Sequence, residues 1–240
     1  MKSIDDHEYW KKRHSENKGI ISVGHHRYSQ KANYYNYLIV QQVYDSLLEK
    51  LELKNKNLKV LDAGCGIGIF SKFLKERGFG VTAVDISQDA IDCIKKGMKD
   101  IDTICSPLYQ LNLPKNSFDV VHCFDVLYHI LDDEEWEKTL EKFALVSKRY
   151  IILHERFSNK KEIYTSPHVN FRGYSDYKDR LGDLGFKEIL SKPTHVVGNG
   201  LYSGFITRLF PKIIYGIDHY LIFRLDANFN RSLIKVLEKE

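Results

Sequence analysis

The chain has 240 residues, of which 43% are hydrophobic and 28% charged, with a formal net charge of +4. This composition excludes an intrinsically disordered chain, and the length is sufficient for one well-buried α/β domain. A mild positive charge without a dense Lys/Arg block gives no reason to expect a nucleic acid partner. Because the N-terminus lacks a signal peptide's apolar core and no apolar run approaches ~20 residues, we expect a cytoplasmic protein without a transmembrane segment.

The N-terminal part predicts helices that could cover a ligand. Residues 5–17 predict a short acid-capped helix, and residues 18–29, which contain Gly19 and Gly24, predict a loop. Residues 32–53 repeat apolar side chains at three- and four-residue spacing and predict a long helix. The Tyr9-Trp10 and 25–28 segments combine aromatic and basic groups, so we expect either a lid over the ligands or plain packing on the domain.

Residues 58–85 carry the strongest signal for function. An apolar run predicts a buried strand near 58–63, and the glycines of Gly64-Cys65-Gly66-Ile67-Gly68 predict a sharp turn that leaves room for a ligand. A helix near 69–77 and a strand near 81–85 follow, and that strand ends in Asp85. Such a unit is typical of nucleoside binding, in which a carboxylate at this position accepts hydrogen bonds from the two ribose hydroxyls.

The spacing of the glycines argues against a dinucleotide. A dinucleotide fold requires Gly or Ala three residues after Gly66, where this chain has Ile69. Asp62 would repel a phosphate but suits a ligand that carries an ammonium and a sulfonium group. The run resembles the first motif of the class I S-adenosylmethionine-dependent methyltransferases, in their small-molecule type.

The resemblance continues through residues 58–155. Residues 117–123 resemble the fourth strand of that family, and residues 125–129 resemble the segment that lines its methyl-donor pocket. The family often has an acid after the third strand that holds the adenine amino group; this chain has none at 105–110, where Ser106 or Gln110 would substitute. The resemblance implies S-adenosylmethionine as cofactor, with ligands at Asp62, Gly64, Cys65, Gly66, Gly68, Asp85, Ile86, Ser106, Leu108 and Asp125.

The remaining elements alternate. Strands are expected near 101–105, 118–123 and 149–154, and helices near 88–97, 133–147 and 175–184, which predicts a doubly wound, mostly parallel sheet with helices on both faces. The family resemblance implies seven strands, with a sixth from 185 and an antiparallel last strand at 232–237.

An apolar segment at 200–225 precedes the last strand, and we expect it to form a helical insert. It carries Arg208 and Lys212 beside many apolar residues. Such a segment suits a lipid-linked acceptor or a membrane surface. A helix buried on the domain or in a homodimer contact fits at least as well, and we favour that interpretation.

We expect one domain spanning 1–240. Within it, residues 1–55 form the N-terminal helical lid, 56–155 the cofactor-binding core, and 156–240 the acceptor side with the last strands. The cysteines show no C-x-x-C spacing, which predicts free buried thiols. No metal is expected, because His25-His26 has no acid or cysteine set with ligand spacing nearby.

Three histidines are candidates for a catalytic base that removes a proton from an acceptor hydroxyl. His129 follows the fourth strand, His154 ends the fifth, and His168 lies in a loop that could cover the acceptor. Each has a structural alternative. His129 would pack under the sheet, His154 would form a polar pair with Glu155, and His168 would be a solvated loop residue. Arg172 would bind an acidic acceptor group or be an exposed loop charge, and the second is favoured.

These observations predict methyl transfer from S-adenosylmethionine to a small-molecule acceptor. We expect the acceptor atom to be an oxygen, and the acceptor to be a sugar or cell-surface precursor. A sulfonium methyl is already electrophilic, so alignment and water exclusion suffice and a strong catalytic signature is unnecessary. The alternatives are a non-catalytic S-adenosylmethionine-binding subunit, a methyltransferase for a macromolecule, or a nicotinamide-dependent oxidoreductase.

Overall fold

The computed structural model describes residues 6–25, 28–54, 57–157, 168–195, 209–224 and 232–240. These form a seven-stranded sheet in the order β3-β2-β1-β4-β5-β7-β6. Only β7 runs antiparallel, against both β5 and β6, so the predicted mostly parallel sheet is confirmed. The strands are β1 (Lys59–Ala63), β2 (Gly80–Asp85), β3 (Asp102–Cys105), β4 (Phe118–Phe124), β5 (Ser147–Arg156), β6 (Phe186–Pro193) and β7 (Ser232–Lys239).

The described helices follow the predicted positions closely, with one correction. Residues 18–29, expected as a loop, contain one helical turn, α2. The described part of the 200–225 insert is helical, whereas Leu201, Phe205, Ile206 and Arg208 lie outside the described residues. The helices are α1 (Asp6–Glu16), α2 (Ile20–Val23), α3 (Gln30–Lys50), α4 (Ile69–Lys75), α5 (Gln88–Gly97), α6 (Asp133–Val146), α7 (Tyr174–Asp183) and α8 (Pro211–Ile222).

Local side chains fix where several helices begin. The Ser29 hydroxyl accepts a hydrogen bond from the amide of Ala32 at the start of α3, and the Ser87 hydroxyl caps α5 in the same way. Asp132 caps α6 by accepting from the amide of Glu135. Such caps satisfy amides that have no partner inside the helix, which is why short polar residues mark these boundaries.

The sheet buries a separate hydrophobic cluster on each face. One face packs against α3, α4 and α5, with Tyr44 fully buried at its centre, and the other packs against α6 and α7 around Phe143. Because its inner face is buried in the first cluster, α3 is a core helix. Of the described helices in the expected 1–55 lid, α1 and α2 contribute no residue to this cluster.

All four cysteines are free, and their burial differs from the prediction. Cys65 and Cys123 are buried as expected, but Cys93 and Cys105 are exposed. Cys93 lies on α5 and Cys105 at the end of the outermost strand β3, so neither is covered by a second layer. Among the described helices, none combines the length and apolar character needed to cross a bilayer.

Candidate active site

A cleft opens at the carboxyl ends of β1 and β4, where the order of the sheet reverses. In an open parallel sheet, the chain leaves neighbouring strands in opposite directions at this point, and the diverging loops leave a crevice. The cleft encloses about 960 Å³ of empty space, its open mouth included. It is lined mainly by the loops after β1, β2, β3 and β4 and by one face of α1, together with Val23 of α2 and Tyr37 of α3.

The glycine turn after β1 forms the floor of the cleft. Gly64 has φ +79° and Gly66 has φ +51°, a left-handed region that other residues rarely adopt. The amides of Gly64 and Cys65 both donate to the carbonyl of Val84 on β2, which ties the turn to the neighbouring strand. A Cβ at Gly64 would lie 2.3 Å from Cγ2 of Val126, so the turn and the loop after β4 fit only without a side chain there.

Asp85, the last residue of β2, presents its carboxylate to the cleft. Its Oδ2 accepts from the amide of Gly66 at 2.8 Å and its Oδ1 from the amide of Ser87 at 2.9 Å. Burial raises the pKa of this carboxyl above its ordinary value, while nearby His14 and the two amides oppose that rise. The two amide bonds fix the direction of the carboxylate, and a carboxylate so held can accept hydrogen bonds from a sugar diol.

Asp62 takes a different position. Its carboxylate is buried, accepts a hydrogen bond from the hydroxyl of Ser71, and lies 2.8 Å from Nε2 of His122. Asp62 is not among the described residues that line the cleft, and neither is Gly68, which precedes α4 with φ +83°. Direct contact between Asp62 and a ligand stays a prediction; in the structure this carboxylate joins β1, α4 and β4.

The loops after β2 and β3 build one wall of the cleft from Ile86, Ser106 and Leu108. The amide of Ser106 donates to the carbonyl of Asp85 at 3.0 Å, which fixes the spacing between the two loops. Gln110, the alternative to Ser106, is exposed and donates to the hydroxyl of Tyr109. Of the two predicted adenine contacts, only Ser106 is placed on the cleft among the described residues.

Asp125 follows β4 and connects the cleft to a buried polar chain. Its Oδ2 lies 3.0 Å from Nδ1 of His154, whose Nε2 lies 2.9 Å from the hydroxyl oxygen of Thr194. Burial acts to raise the pKa of Asp125, but the facing imidazoles of His154, His195 and His129 outweigh it and lower the pKa below the ordinary value. Asp125 therefore keeps a negative charge at the edge of the cleft.

His154 and Glu155 lie beneath the cleft wall and contact the loop after β4. Both ring nitrogens of His154 are engaged as described above, and this residue is not among the described cleft-lining residues. Glu155 is fully buried, and its Oε1 accepts from the amides of Val126 and Leu127 at 3.1 Å and 3.0 Å. The pair thus holds the loop after β4 in place.

His129 and His168 contact each other. Nδ1 of His129 lies 2.8 Å from the carbonyl oxygen of His168, and because a carbonyl only accepts, Nδ1 carries the proton. Burial lowers the pKa of His129 to about 4, so the ring is neutral at physiological pH and Nε2 keeps a lone pair. His129 lines the cleft, whereas the ring of His168 stacks on Tyr9 at 4.6 Å.

One face of α1 contributes cleft residues that sequence reasoning did not assign as ligands. His7, Trp10 and His14 line the cleft, and their spacing of three and four residues is the signal that places them on one face. Neither ring nitrogen of His14 has a hydrogen-bond partner among the described residues, although the side chain is buried. Burial lowers the pKa of His14, and Asp85 acts to raise it. A buried polar group that faces a cleft without a protein partner is available to contact a ligand or a water molecule.

Arg172 proves to be a structural residue. It is buried, not exposed as expected, and its guanidinium lies 2.7 Å from Oδ1 of Asp133 and donates to the carbonyl of Ile130 at 3.0 Å. The guanidinium also lies 4.7 Å from the ring centroid of Trp136. These contacts use the charge to join the loop after β4 to the start of α6.

Residues 60–149 match the family model described as a methyltransferase domain. This segment of the chain is a methyltransferase domain. The matched segment includes Asp62, Asp85 and Asp125 and the whole glycine turn, whereas α1, His154 and His168 lie outside it. The matched segment therefore supplies the glycine turn, Asp85 and Asp125 to the cleft, and α1, which lies outside it, supplies His7, Trp10 and His14.

Curated relatives match the methyltransferase domain over part of their length. The ubiquinone biosynthesis O-methyltransferase of Coxiella burnetii (strain RSA 493 / Nine Mile phase I) is 33% identical over 94 residues, which is 38% of this chain and 39% of that enzyme. Phosphoethanolamine N-methyltransferase 1 of Arabidopsis thaliana is 28% identical over 158 residues, 60% of this chain and 32% of that enzyme. This chain thus spans about two fifths or less of these relatives.

A solved structure extends the likeness to the whole fold. Magnesium protoporphyrin IX methyltransferase from Synechocystis PCC 6803, crystallised with bound S-adenosylmethionine, has a TM-score of 0.65 and covers 100% of both chains at 21% identity. At this identity the likeness establishes the fold of the methyltransferase domain and its flanking elements, not the substrate.

Proposed function

We propose that the protein transfers a methyl group from S-adenosylmethionine to a hydroxyl group of a small molecule. The observation that supports this most directly is the Asp85 carboxylate, which lines the cleft while two backbone amides fix its direction. An adenosyl donor offers a ribose diol to such a group. We also propose that the chain acts as one unit, with α1 and α2 covering the cleft.

The residues present fit this donor. Asp85 would accept from the ribose hydroxyls, the Gly64–Gly66 backbone would face the amino-acid tail, and Ile86 and Leu108 would enclose the adenine beside Ser106. The unpartnered ring nitrogens of His14 would meet a polar edge of the ligand near Asp85. Asp125, negative at the cleft edge, would attract the positive charge of the donor.

The donor supplies an electrophilic methyl group when bound, so the chain's own task is to align the acceptor and exclude water. Trp10 and His129 meet edge to face at 4.7 Å and close the acceptor side together with Tyr37. Because His129 is neutral, it does not repel a sulfonium, and its Nε2 can accept a hydrogen bond from the acceptor hydroxyl. The carbonyl of His168 orients that ring.

The acceptor side favours a molecule with an apolar or ring-shaped body. Aromatic rings at Trp10, Tyr37 and His129 offer flat apolar faces, which stack on planar rings and on the apolar faces of sugars. The relatives include a ubiquinone biosynthesis O-methyltransferase and a phosphoethanolamine N-methyltransferase. The similarity to relatives therefore does not indicate whether the acceptor atom is oxygen or nitrogen. A neutral imidazole at the acceptor position supports the hydroxyl acceptor, and a sugar or cell-surface precursor is one such class.

The test combines calorimetric titration with a turnover assay. We expect wild-type protein to bind S-adenosylhomocysteine, and to bind its 2′-deoxyribose analogue about tenfold to a hundredfold more weakly, because a hydrogen bond to a charged group contributes about 1.5–3 kcal/mol. Asp85→Asn should reduce this discrimination, because an uncharged amide accepts a weaker hydrogen bond from the ribose than a carboxylate does. Asp92→Asn, at a partly exposed acid on α5 that accepts a hydrogen bond from Gln88, is the matched control and should leave it intact.

Turnover is measured as S-adenosylhomocysteine release across a panel of hydroxyl, amine and carboxylate acceptors. Release with hydroxyl acceptors supports the full proposal. Binding without release with every class of acceptor would support the non-catalytic subunit instead. A wild-type protein that binds nicotinamide dinucleotides but no adenosyl sulfonium would refute donor and reaction together.

A further inference from the structure

The outer face of α8 and its flanking turns exposes an unusual number of large apolar side chains. Six of the nine large hydrophobic residues that are exposed in the described part of the chain fall between 209 and 223, each between 41% and 59% exposed. They are Leu209, Phe210, Ile213, Ile217, Tyr220 and Phe223. We refer to these six residues as the α8 outer face. Scattered apolar residues are ordinary on protein surfaces, but a contiguous patch marks an interaction site.

The helix is firmly held on its opposite side. Pro211, Ile214, Asp218 and Ile222 are buried, and they repeat at three- and four-residue spacing. The hydroxyl of Tyr215 donates to Oε1 of Gln42 on α3 at 2.9 Å, and the rings of Tyr215 and Tyr35 lie 5.2 Å apart. The helix therefore has two apolar faces. One is buried against the domain, and the other, the α8 outer face, is exposed.

The charges on this surface have one sign. From 209 to 224 the exposed ionisable residues are Lys212, His219 and Arg224, and the only carboxylate, Asp218, is buried. The guanidinium of Arg224 lies 4.7 Å from the ring centroid of Tyr220, which places a cation at the rim of the apolar patch. Apolar side chains rimmed by cations match the interface of a bilayer with anionic headgroups.

The same charges argue against a second copy of this chain as the occupant. In a two-fold symmetric contact the same surface faces itself, so Lys212 and Arg224 of one copy would face the same set of cations on the other. The 209–224 segment offers no exposed carboxylate to offset them. Like charges placed across an interface oppose association.

We propose that the α8 outer face docks the protein on the surface of an anionic lipid bilayer. Because α8 lies in the connection between β6 and β7, its position bears on which edge of the sheet would face the membrane. The chain enters the β6–β7 connection from Pro193 and leaves it near Leu233, which pair with each other at the carboxyl edge of the sheet. The cleft opens at that same edge. Where the proposed methyl transfer holds, docking would bring the cleft to acceptors that reside in the membrane.

The test is flotation of the whole protein with phosphatidylcholine vesicles that contain or lack phosphatidylglycerol. We expect wild-type protein to float with the anionic vesicles and Ile213→Asp to lower its partition coefficient at least tenfold. Lys212→Gln should lower it about fivefold, since each cation near an anionic surface contributes about 1 kcal/mol. Leu145→Asp, at an exposed leucine on α6, is the matched control and should float like wild type.

Several results would overturn the proposal. One is wild-type protein that floats with neither kind of vesicle, and another is an equal loss in Ile213→Asp and Leu145→Asp. Size-exclusion chromatography tests whether a second copy of the chain binds this face instead. A wild-type dimer that Ile213→Asp dissociates would assign the α8 outer face to that second copy. Flotation needs neither donor nor acceptor, so it can succeed or fail independently of the proposed methyl transfer.

Discussion

The contact between Gly64 and Val126 offers a quantitative test of how the cleft is built. Gly64→Ala would place a non-glycine residue at φ +79° and a methyl group 2.3 Å from Cγ2 of Val126. The left-handed backbone costs about 1–2 kcal/mol. The clash adds about 1–3 kcal/mol, the usual range for overpacking. We expect Gly64→Ala to lower the free energy of unfolding by about 2–5 kcal/mol.

Two further variants separate these contributions. Gly78 has φ +83° but no atom within 4 Å of an added Cβ, so Gly78→Ala should cost only the backbone part, about 1–2 kcal/mol. Val126→Ala removes both γ carbons and leaves Cβ 3.1 Å from the new methyl group. The double variant Gly64→Ala/Val126→Ala should therefore be less destabilised than the sum of the singles by about 1–3 kcal/mol.

Equilibrium urea unfolding of the four variants measures these differences. Equal losses in Gly64→Ala and Gly78→Ala would refute the reasoning, because the clash would then contribute nothing. Additivity of Gly64→Ala and Val126→Ala within about 0.5 kcal/mol would refute it as well. Since Val126 lines the cleft, Gly64→Ala should also weaken donor binding in the proposed function, whereas Gly78→Ala should not.

Three further predictions concern ionisable groups in the cleft. The pKa of Asp85 is raised, and protonation of its carboxylate removes a hydrogen-bond acceptor. As the pH is lowered, donor affinity should therefore begin to decline above pH 3.8, the ordinary pKa of an aspartate. Calorimetry that shows a decline only below that pH would contradict this. The pKa of His129, lowered to about 4, predicts that kcat has no acid limb near pH 6.5, and a limb there that His129→Gln abolishes would exclude a neutral His129. His14→Phe should leave the free energy of unfolding unchanged or higher, since it removes a buried imidazole whose nitrogens have no partner among the described residues. It should also weaken donor binding about threefold to tenfold in titration. Lower stability with unchanged affinity would instead make His14 a structural residue.

Local chemistry made the arrangement of elements predictable, and with it the glycine turn and the strand-end acid that line the cleft. Apolar runs identified the strands, their alternation with helices indicated a parallel sheet, and short polar caps such as Ser87 marked where helices begin. Gly64 and Asp85 were recognisable because a left-handed turn and a carboxylate at a strand end each need a particular residue at a particular position. Such requirements are local, so a sequence displays them.

What the sequence did not determine is which polar groups reach the cleft. Asp62 and Asp85 both belong to central strands, yet Asp85 ends β2 and faces the cleft, while Asp62 lies one residue before the end of β1 and points to Ser71 and His122. Arg172 was expected to be exposed and is buried against α6, and His14 was assigned no role but lines the cleft. Burial and orientation depend on contacts between segments far apart in the chain, and only the tertiary structure brings those segments together.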